Sequence, residues 1–488
     1  MSTEVSHQPR TGATHPGPSH TAPDDVAAAV AAARAAYPVV STATPRDRRR
    51  WLDAVADTLD AHADELVAIA DGETALGEER LRGELQRGVV NMRYYAAVGE
   101  SGDWLRVRKQ TLPGPPPIDL RRANLPIGPV AVFGASNFPF QFGVVGHDTC
   151  SAISAGCPVV TKAHPAHPRL SVRLAELTRS TLAAAGAPDG TYSLVVGFGA
   201  GTALVDAPEI AAVAFTGSQA GGMALVDRAR RRERPIPVYA EMGTVNPVLV
   251  TPAAIDRIDE IAAELVASFT LGAGQFCTKP GLLMAPAGSG VTEATATHVA
   301  SSPGVWLLTE GIAAAYRDGI DDLVTAGGTL LASGQTMPSG YAAQPHAVTV
   351  GLADLRPGSR LLGECFGPVA LVAQYADIDE ALGTLATLQP SLTGAVYGAG
   401  PDDPDLPRAV ERMAAQVGRV VVDGPPTGVA CADAMHHGGP WPSTSDPRST
   451  SVGAHALDRF TRPVAYQNVP EMALPPALRD ADPWGLDA

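Results

Sequence analysis

Apolar positions in the first hundred residues recur at helical spacing. In "DDVAAAVAAARAAYPVV" and "TPRDRRRWLDAVADTLDAHADELVAIADGETA", Trp51, Leu52, Val55, Leu59, Leu66 and Ile69 form one stripe, which predicts covering helices with a single buried face. The period changes after "LPGPPPIDLRRANLPIGP", which must be extended or turning because proline fixes φ and lacks an amide donor. Short apolar runs follow: "VAVF", "CPVVTKAHPAHP", "TYSLVVGFGAG", "EIAAVAFTGS" and "PVYAEMGTVNPVLV". Each stops at Gly, Pro or a polar turn, and alanine-rich helical stretches separate most of them. This rhythm predicts an α/β fold, with a mostly parallel sheet and helices on its faces. No internal repeat interrupts it.

In such sheets ligands bind beyond the carboxyl ends of the strands, so the residues that follow each strand are the candidates. Asn137 follows "VAVF"; Lys162 and His164 follow "PVVT"; Gly217 and Ser218 follow "AVAFT"; Glu241 follows "PVYA". A GxGxxG fingerprint is absent, since "GFGAGT" puts Thr202 at the last glycine position. "FTGSQAGG" is the better phosphate cradle, because a strand delivers Gly217 and Ser218 to a predicted helix start with free N–H groups. In "GAGQFCTKPG", Cys277 has a glycine-rich approach and a neighbouring cation in Lys279, which would favour thiolate. On these residues alone, a reactive thiol and a small apolar filler both stay open.

Composition narrows the classes. With 45% hydrophobic and 5% aromatic residues over 488 positions, the chain reads as globular and long enough for more than one core. A net charge of −15 supplies no global field for nucleic acid or an anionic membrane, so neither partner is expected. The stretch from 128 to 160 is broken by Asn137, Gln141, His147 and Asp148 and cannot face lipid. Residues 1–23 are rich in Pro, Ser, Thr and His without an apolar core; a disordered tail and a cytoplasmic location are expected. The five cysteines are scattered without CxxC spacing, and no metal site is expected.

The motifs "FGASNFP", "VVTKAHP", "FTGS", "AEMGTVNPV", "GAGQFCTKPG" and "ECFGPV" stand in the order and approximate spacing of the aldehyde dehydrogenase superfamily, which the chain resembles from about residue 24 onward. "KAHPAHP", "TLGAGQFCTKPG" and "HHGGPWPSTSDPRSTSVG" look most like the NADP-linked subgroup that includes 2,5-dioxopentanoate (α-ketoglutarate semialdehyde) dehydrogenases, with fatty aldehyde dehydrogenases as near neighbours. The resemblance implies an aldehyde dehydrogenase-like fold: a Rossmann-type cofactor domain from 24–103 and 129–241, an α/β catalytic domain from 242–454, and a bridging β element from 104–128 and 455–488. The bridging piece makes a poor independent core, so a homodimer or homotetramer is expected.

It also implies roles. Cys277 matches the nucleophile that forms a thiohemiacetal and then a thioester; Asn137 matches the amide donor to the developing oxyanion, and Glu241 the base that activates the hydrolytic water. Lys162 matches the lysine at the adenine ribose, Gly217 and Ser218 the pyrophosphate turn, Glu364 the carboxylate on the nicotinamide ribose, and Phe366 its neighbour beside the ring. NAD-preferring relatives tend to carry a glutamate three residues after the lysine. Pro165 stands there, with His164, His167 and Arg169 nearby, so NADP is expected over NAD. A 2-oxo acid semialdehyde needs a local cation for its carboxylate, and Arg448 and Lys279 are the candidates. Lys279, Met242 and His147 depart from the usual pattern. The adjacent His436 and His437 lack the spacing of a ligand pair on one helix face and read as structural or substrate-mouth residues. A cysteine hydrolase or acyltransferase stays as an alternative that needs a histidine base beside Cys277. A non-catalytic descendant is disfavoured by the joint presence of Asn137, Glu241 and Cys277.

Overall fold

A computed structural model describes residues 2–486. The buried four-residue strand Val130–Phe133 lies at the centre of a five-stranded parallel sheet. Val159–Lys162 and then Tyr192–Val195 lie on one side of it, and Ala212–Gly217 and then Val238–Met242 on the other. The chain therefore reverses direction around the central strand. That reversal opens a crevice at the carboxyl ends of the strands, where Lys162 and Gly217 sit. The amino-terminal helices include Pro45–Ala61, whose Thr44 side chain accepts from the Asp47 amide as a cap. Trp51, Leu52, Val55, Leu59 and Leu66 of the apolar stripe are buried, while Ile69 packs at its margin.

A seven-stranded sheet follows in the order Thr329–Ser333, His346–Val350, Val369–Tyr375, Leu282–Pro286, Pro247–Val250, Ser391–Tyr397, Val417–Val422. All neighbours are parallel except the first pair. The loop that carries Cys277 leads directly into Leu282–Pro286, at the centre of this sheet. A three-stranded antiparallel sheet joins Arg108–Leu112 and Ile118–Pro126 to Thr461–Gln467. Its own core is small, with Ala123, Leu474 and Leu478 buried, and its edge strand Arg108–Leu112 is exposed throughout. No helix among the described residues is long and apolar enough to cross a membrane.

The expected loose tail is instead ordered. Thr3–Gln8 and Ala13–Ser19 form an antiparallel hairpin. Its Ser6 hydroxyl is buried and donates to Glu73 at 2.7 Å. Within the turn, Arg10 pairs with Asp71, and the Pro9 carbonyl accepts from the Tyr341 amide at 2.8 Å. Pro and Ser in this segment weaken any local strand signal, so its order comes from the surface it docks on.

Glu73 is the anchor of that docking. Its carboxylate also accepts from the Arg169 and Leu170 amides at 3.1 and 3.0 Å, in the first turn of the helix Pro168–Ala184. Replacing Glu73 with Ala strips three donors of their acceptor. Urea unfolding of the variant is expected to show a loss of about 1–3 kcal/mol.

Candidate active site

Cys277 stands in a turn whose backbone is unusual. Gly272, Ala273 and Gly274 all have positive φ, and a Cβ on Gly274 would come within 2.3 Å of the Gly367 backbone. Asn246, itself at φ 55°, pins the turn from below: its Nδ2 donates to the carbonyls of Cys277 and Lys279 at 2.7 and 2.9 Å. The Asn137 amide donates to the Gln275 carbonyl at 2.6 Å, which ties the loop after Val130–Phe133 to the approach of the thiol. Cys277 is half-buried; Cys150, Cys157 and Cys365 are buried.

Glu241 lies one residue before the end of the strand Val238–Met242 and is only 4% exposed. The segment Ser443–Ser445 runs antiparallel beside that strand: the Met242 amide donates to the Ser443 carbonyl at 2.8 Å and the Ser445 amide to the Ala240 carbonyl at 3.0 Å. The same stretch of chain brings His437 to the site. His437 Nε2 is 2.9 Å from Glu241 Oε1 and 3.7 Å from the Cys277 sulfur, while the Ser451 hydroxyl donates to Glu241 Oε2. Burial works to raise the Glu241 pKa, but His437 and Ser451 outweigh it and leave the carboxyl below its usual value. Burial, then the charges of Glu241 and Glu364, hold the Cys277 thiol well above its ordinary range.

Glu241, Cys277 and His437 each offer a donor atom within 4.8 Å of the others, a set that could also take a metal ion. From sequence, His437 reads as a structural or substrate-mouth residue and no metal ligands are expected. No spacing rule exposes this cluster, because His437 stands 160 residues from Cys277.

The dinucleotide candidates gather elsewhere in the crevice. Lys162, His164, Gly217 and Ser218 line a cavity of about 1060 Å³, together with Phe133, Arg231 and Arg234. Ser218 caps the helix Gln219–Arg230, so amides of its first turn face that space. Burial, then His167 and Lys162, pushes the His164 pKa well below its ordinary value, so it meets a ligand as neutral imidazole. Glu364 approaches the chain where Gly243 leaves room, since a Cβ there would stand 2.1 Å from its carboxylate. Burial raises the Glu364 pKa to about 7 against the opposing pull of Lys279. Phe366 is half-buried two residues further along the same turn.

The structure overturns both substrate cations expected from sequence. Lys279 is 3% exposed, and its Nζ donates to the carbonyls of Cys365 and Val369 at 3.1 and 2.7 Å. It neutralises backbone dipoles under the Glu364 turn and offers no free charge to a substrate. The Arg448 side chain is 91% exposed and lies 3.7 Å from Asp446. Arg169 is exposed at the start of its helix and is not among the residues that line the dinucleotide cavity.

The aldehyde dehydrogenase family model matches residues 2–465. The chain belongs to the aldehyde dehydrogenase family. It is 41% identical to alpha-ketoglutaric semialdehyde dehydrogenase 2 of Azospirillum brasilense, over 95% of this chain and 90% of that one. Identity to the alpha-ketoglutaric semialdehyde dehydrogenase of Acinetobacter baylyi is 40%, over 94% and 89%. The crystal structure of a putative aldehyde dehydrogenase from Burkholderia cenocepacia superposes with a TM-score of 0.81 at 24% identity, covering 95% of this chain and 96% of that one. That likeness gives the aldehyde dehydrogenase fold.

The electrostatics of the thiol can be read in solution. Iodoacetamide labelling of Cys277 in the full chain is expected to need a higher pH than an ordinary thiol does. Replacing Glu241 with Gln removes a negative charge that disfavours thiolate, so the labelling midpoint should move down, by about one pH unit. A midpoint that stays put, followed by mass spectrometry of the Cys277 peptide, would show that Glu241 does not act on the sulfur.

Proposed function

We propose that this aldehyde dehydrogenase oxidises 2,5-dioxopentanoate to 2-oxoglutarate with NADP, through a thioester on Cys277. The observation that carries the reading is the meeting of thiol, carboxylate and imidazole within 4.8 Å at the junction of the two parallel sheets. The substrate is supported by the alpha-ketoglutaric semialdehyde dehydrogenases described above.

His437 Nε2 lies within reach to take the thiol proton as the sulfur adds to the aldehyde carbon, and Glu241, beside the same nitrogen, stabilises the imidazolium. Asn137 offers its second amide hydrogen to the carbonyl oxygen as it becomes anionic; the first is committed to Gln275. A bound nicotinamide dinucleotide supplies the two-electron acceptor that turns the adduct into a thioester. Glu241, kept ionised at low exposure, then takes the proton of the water that attacks the thioester carbonyl. The sulfur leaves as thiolate and is reprotonated by His437.

The dinucleotide is supported by the cavity at the strand ends, with Lys162 for the adenine ribose, Gly217 and Ser218 for the pyrophosphate, and Glu364 and Phe366 for the nicotinamide end. Pro165 leaves the position three residues after Lys162 without a carboxylate, and Arg231 and Arg234 stand with Asp206, Asp227 and Glu233 in the cavity wall. A fatty aldehyde is the alternative substrate. A division at 24–103 with 129–241, 242–454, and 104–128 with 455–488 agrees with the separate sheets. The exposed strand Arg108–Leu112 supports pairing into a homodimer or homotetramer, and the net charge of −15 fits a cytoplasmic enzyme without nucleic-acid partners.

A second reading has its own support. The histidine that a cysteine hydrolase needs is also present, since His437 Nε2 lies 3.7 Å from the Cys277 sulfur. The two readings separate on absorbance: oxidation reduces NADP, whereas hydrolysis of an ester or thioester leaves it unchanged. Cys277→Ala is expected to lower kcat for NADP reduction by roughly a thousandfold or more. Glu241→Gln should leave a burst of about one NADPH per active site before a slow steady state, measured by stopped flow. For the cofactor, kcat/KM is expected to be higher with NADP than with NAD, and a clear preference for NAD would defeat the Pro165 argument.

A further inference from the structure

With Lys279 and Arg448 removed as substrate cations, a different arginine occupies the place such a cation needs. Arg80 lies in the first turn of the helix Glu78–Ser101. Its guanidinium carbon stands 5.2 Å from the ring centroid of Phe138 and 5.3 Å from that of Phe276. These two rings meet edge to face, with centroids 4.8 Å apart. Phe138 directly follows the amide donor Asn137, and Phe276 directly precedes the nucleophile Cys277. Arg80 Nη2 donates to the Asn137 backbone carbonyl at 2.8 Å, which ties the cation to the loop that carries the amide donor.

Glu84 is the carboxylate that the Arg80 charge feels, without a direct ion pair. Arg80 forms no ion pair among the described residues, and its Nη1 is buried without an acceptor. Glu84, one turn along the helix, spends an oxygen on the Phe140 and Gln141 amides at 2.8 and 3.1 Å and stays outside ion-pair distance of Arg80. Gly272 makes the space for the guanidinium, since a Cβ there would come 2.7 Å from Nη1. Arg87, two turns from Arg80 on the same helical face, is exposed and also lacks a carboxylate partner among the described residues. Two unpaired cations on one face are out of character for a chain of net charge −15. Arg419 also feels the Cys277 thiolate, but its Nε and Nη2 already donate to Thr393 Oγ1 and the Pro426 carbonyl.

We infer that Arg80 selects aldehydes that carry a carboxylate at the end remote from the carbonyl, binding that carboxylate through its guanidinium fork. The aromatic faces fix the plane of the fork, and a carboxylate presented in that plane accepts in parallel from two N–H groups. Arg87 lies further out on the same face and draws the anion toward the entrance. This assignment rests on the proposed aldehyde oxidation and adds to it the residue that recognises the substrate's charge.

The test compares the full-length chain with Arg80→Gln and Arg80→Lys on two aldehydes of equal carbon number, 2,5-dioxopentanoate and pentanal. The ratio of kcat/KM for the charged over the neutral aldehyde is expected to fall roughly 10- to 100-fold in the glutamine variant. The lysine variant should lie between, because it keeps the charge and loses the fork. If Arg80 only staples the Asn137 loop, both aldehydes lose equally and the ratio is unchanged, which overturns the assignment. Calorimetric titration with 2-oxoglutarate gives a readout without turnover: binding should weaken at least about tenfold in Arg80→Gln, and equal affinity for both proteins rejects the proposal. A wild-type chain that oxidises no aldehyde defeats the proposed function, while the calorimetric comparison still decides Arg80.

Discussion

A carboxylate almost sealed from water beside a thiol is unstable unless something else takes its charge. Glu241 meets that condition through His437 and Ser451, and the rest of the site is arranged to deliver those two groups. Ser443–Ser445 runs beside the otherwise open edge of the five-stranded sheet, and its flanking turns carry His437 and Ser451 to the carboxylate. The Thr450 hydroxyl accepts from the His437 amide at 2.8 Å and fixes the backbone of that turn. Without this added segment, Glu241 would stand near the end of an edge strand without either partner.

The thiol arrives from the other sheet under a different constraint. Its turn needs three consecutive residues in the left-handed region, a geometry that costs energy at Ala273 and persists because Asn246 and Gln275 hold it from both sides. Gln275 is used twice: its side-chain oxygen accepts from the Leu308 amide and its carbonyl accepts from Asn137. Each sheet therefore contributes one half of the chemistry, and the contact between Asn137 and Gln275 joins them.

Strand ends were the most legible part of the chain. Lys162, Gly217, Ser218 and Glu241 were placed from apolar runs that stop at polar or glycine residues, and this works because a parallel sheet aligns those stops along one edge. His437 was not legible, since nothing local to residues 436 and 437 indicates a partner 160 positions earlier. Lys279 and Arg448 carry the charge a carboxylate needs, yet direction decides their fate: one side chain turns into backbone carbonyls and the other into solvent. Arg80 escaped notice for the converse reason. It sits in the helix Glu78–Ser101, outside every motif, and only the packing of Phe138 against Phe276 shows what it covers.

The amino-terminal hairpin has a mechanical consequence. Ser6 is fastened to Glu73, on the helices that cover the first sheet, while the Pro9 and Arg10 carbonyls accept from the Tyr341 amide and the Ser339 hydroxyl on the far side. The first residues of the chain thus bridge the two bodies that face each other across the crevice. They act as a tie-bar: pulling the two apart would stretch those bonds, so a segment remote from the chemistry helps hold the halves of the site in register.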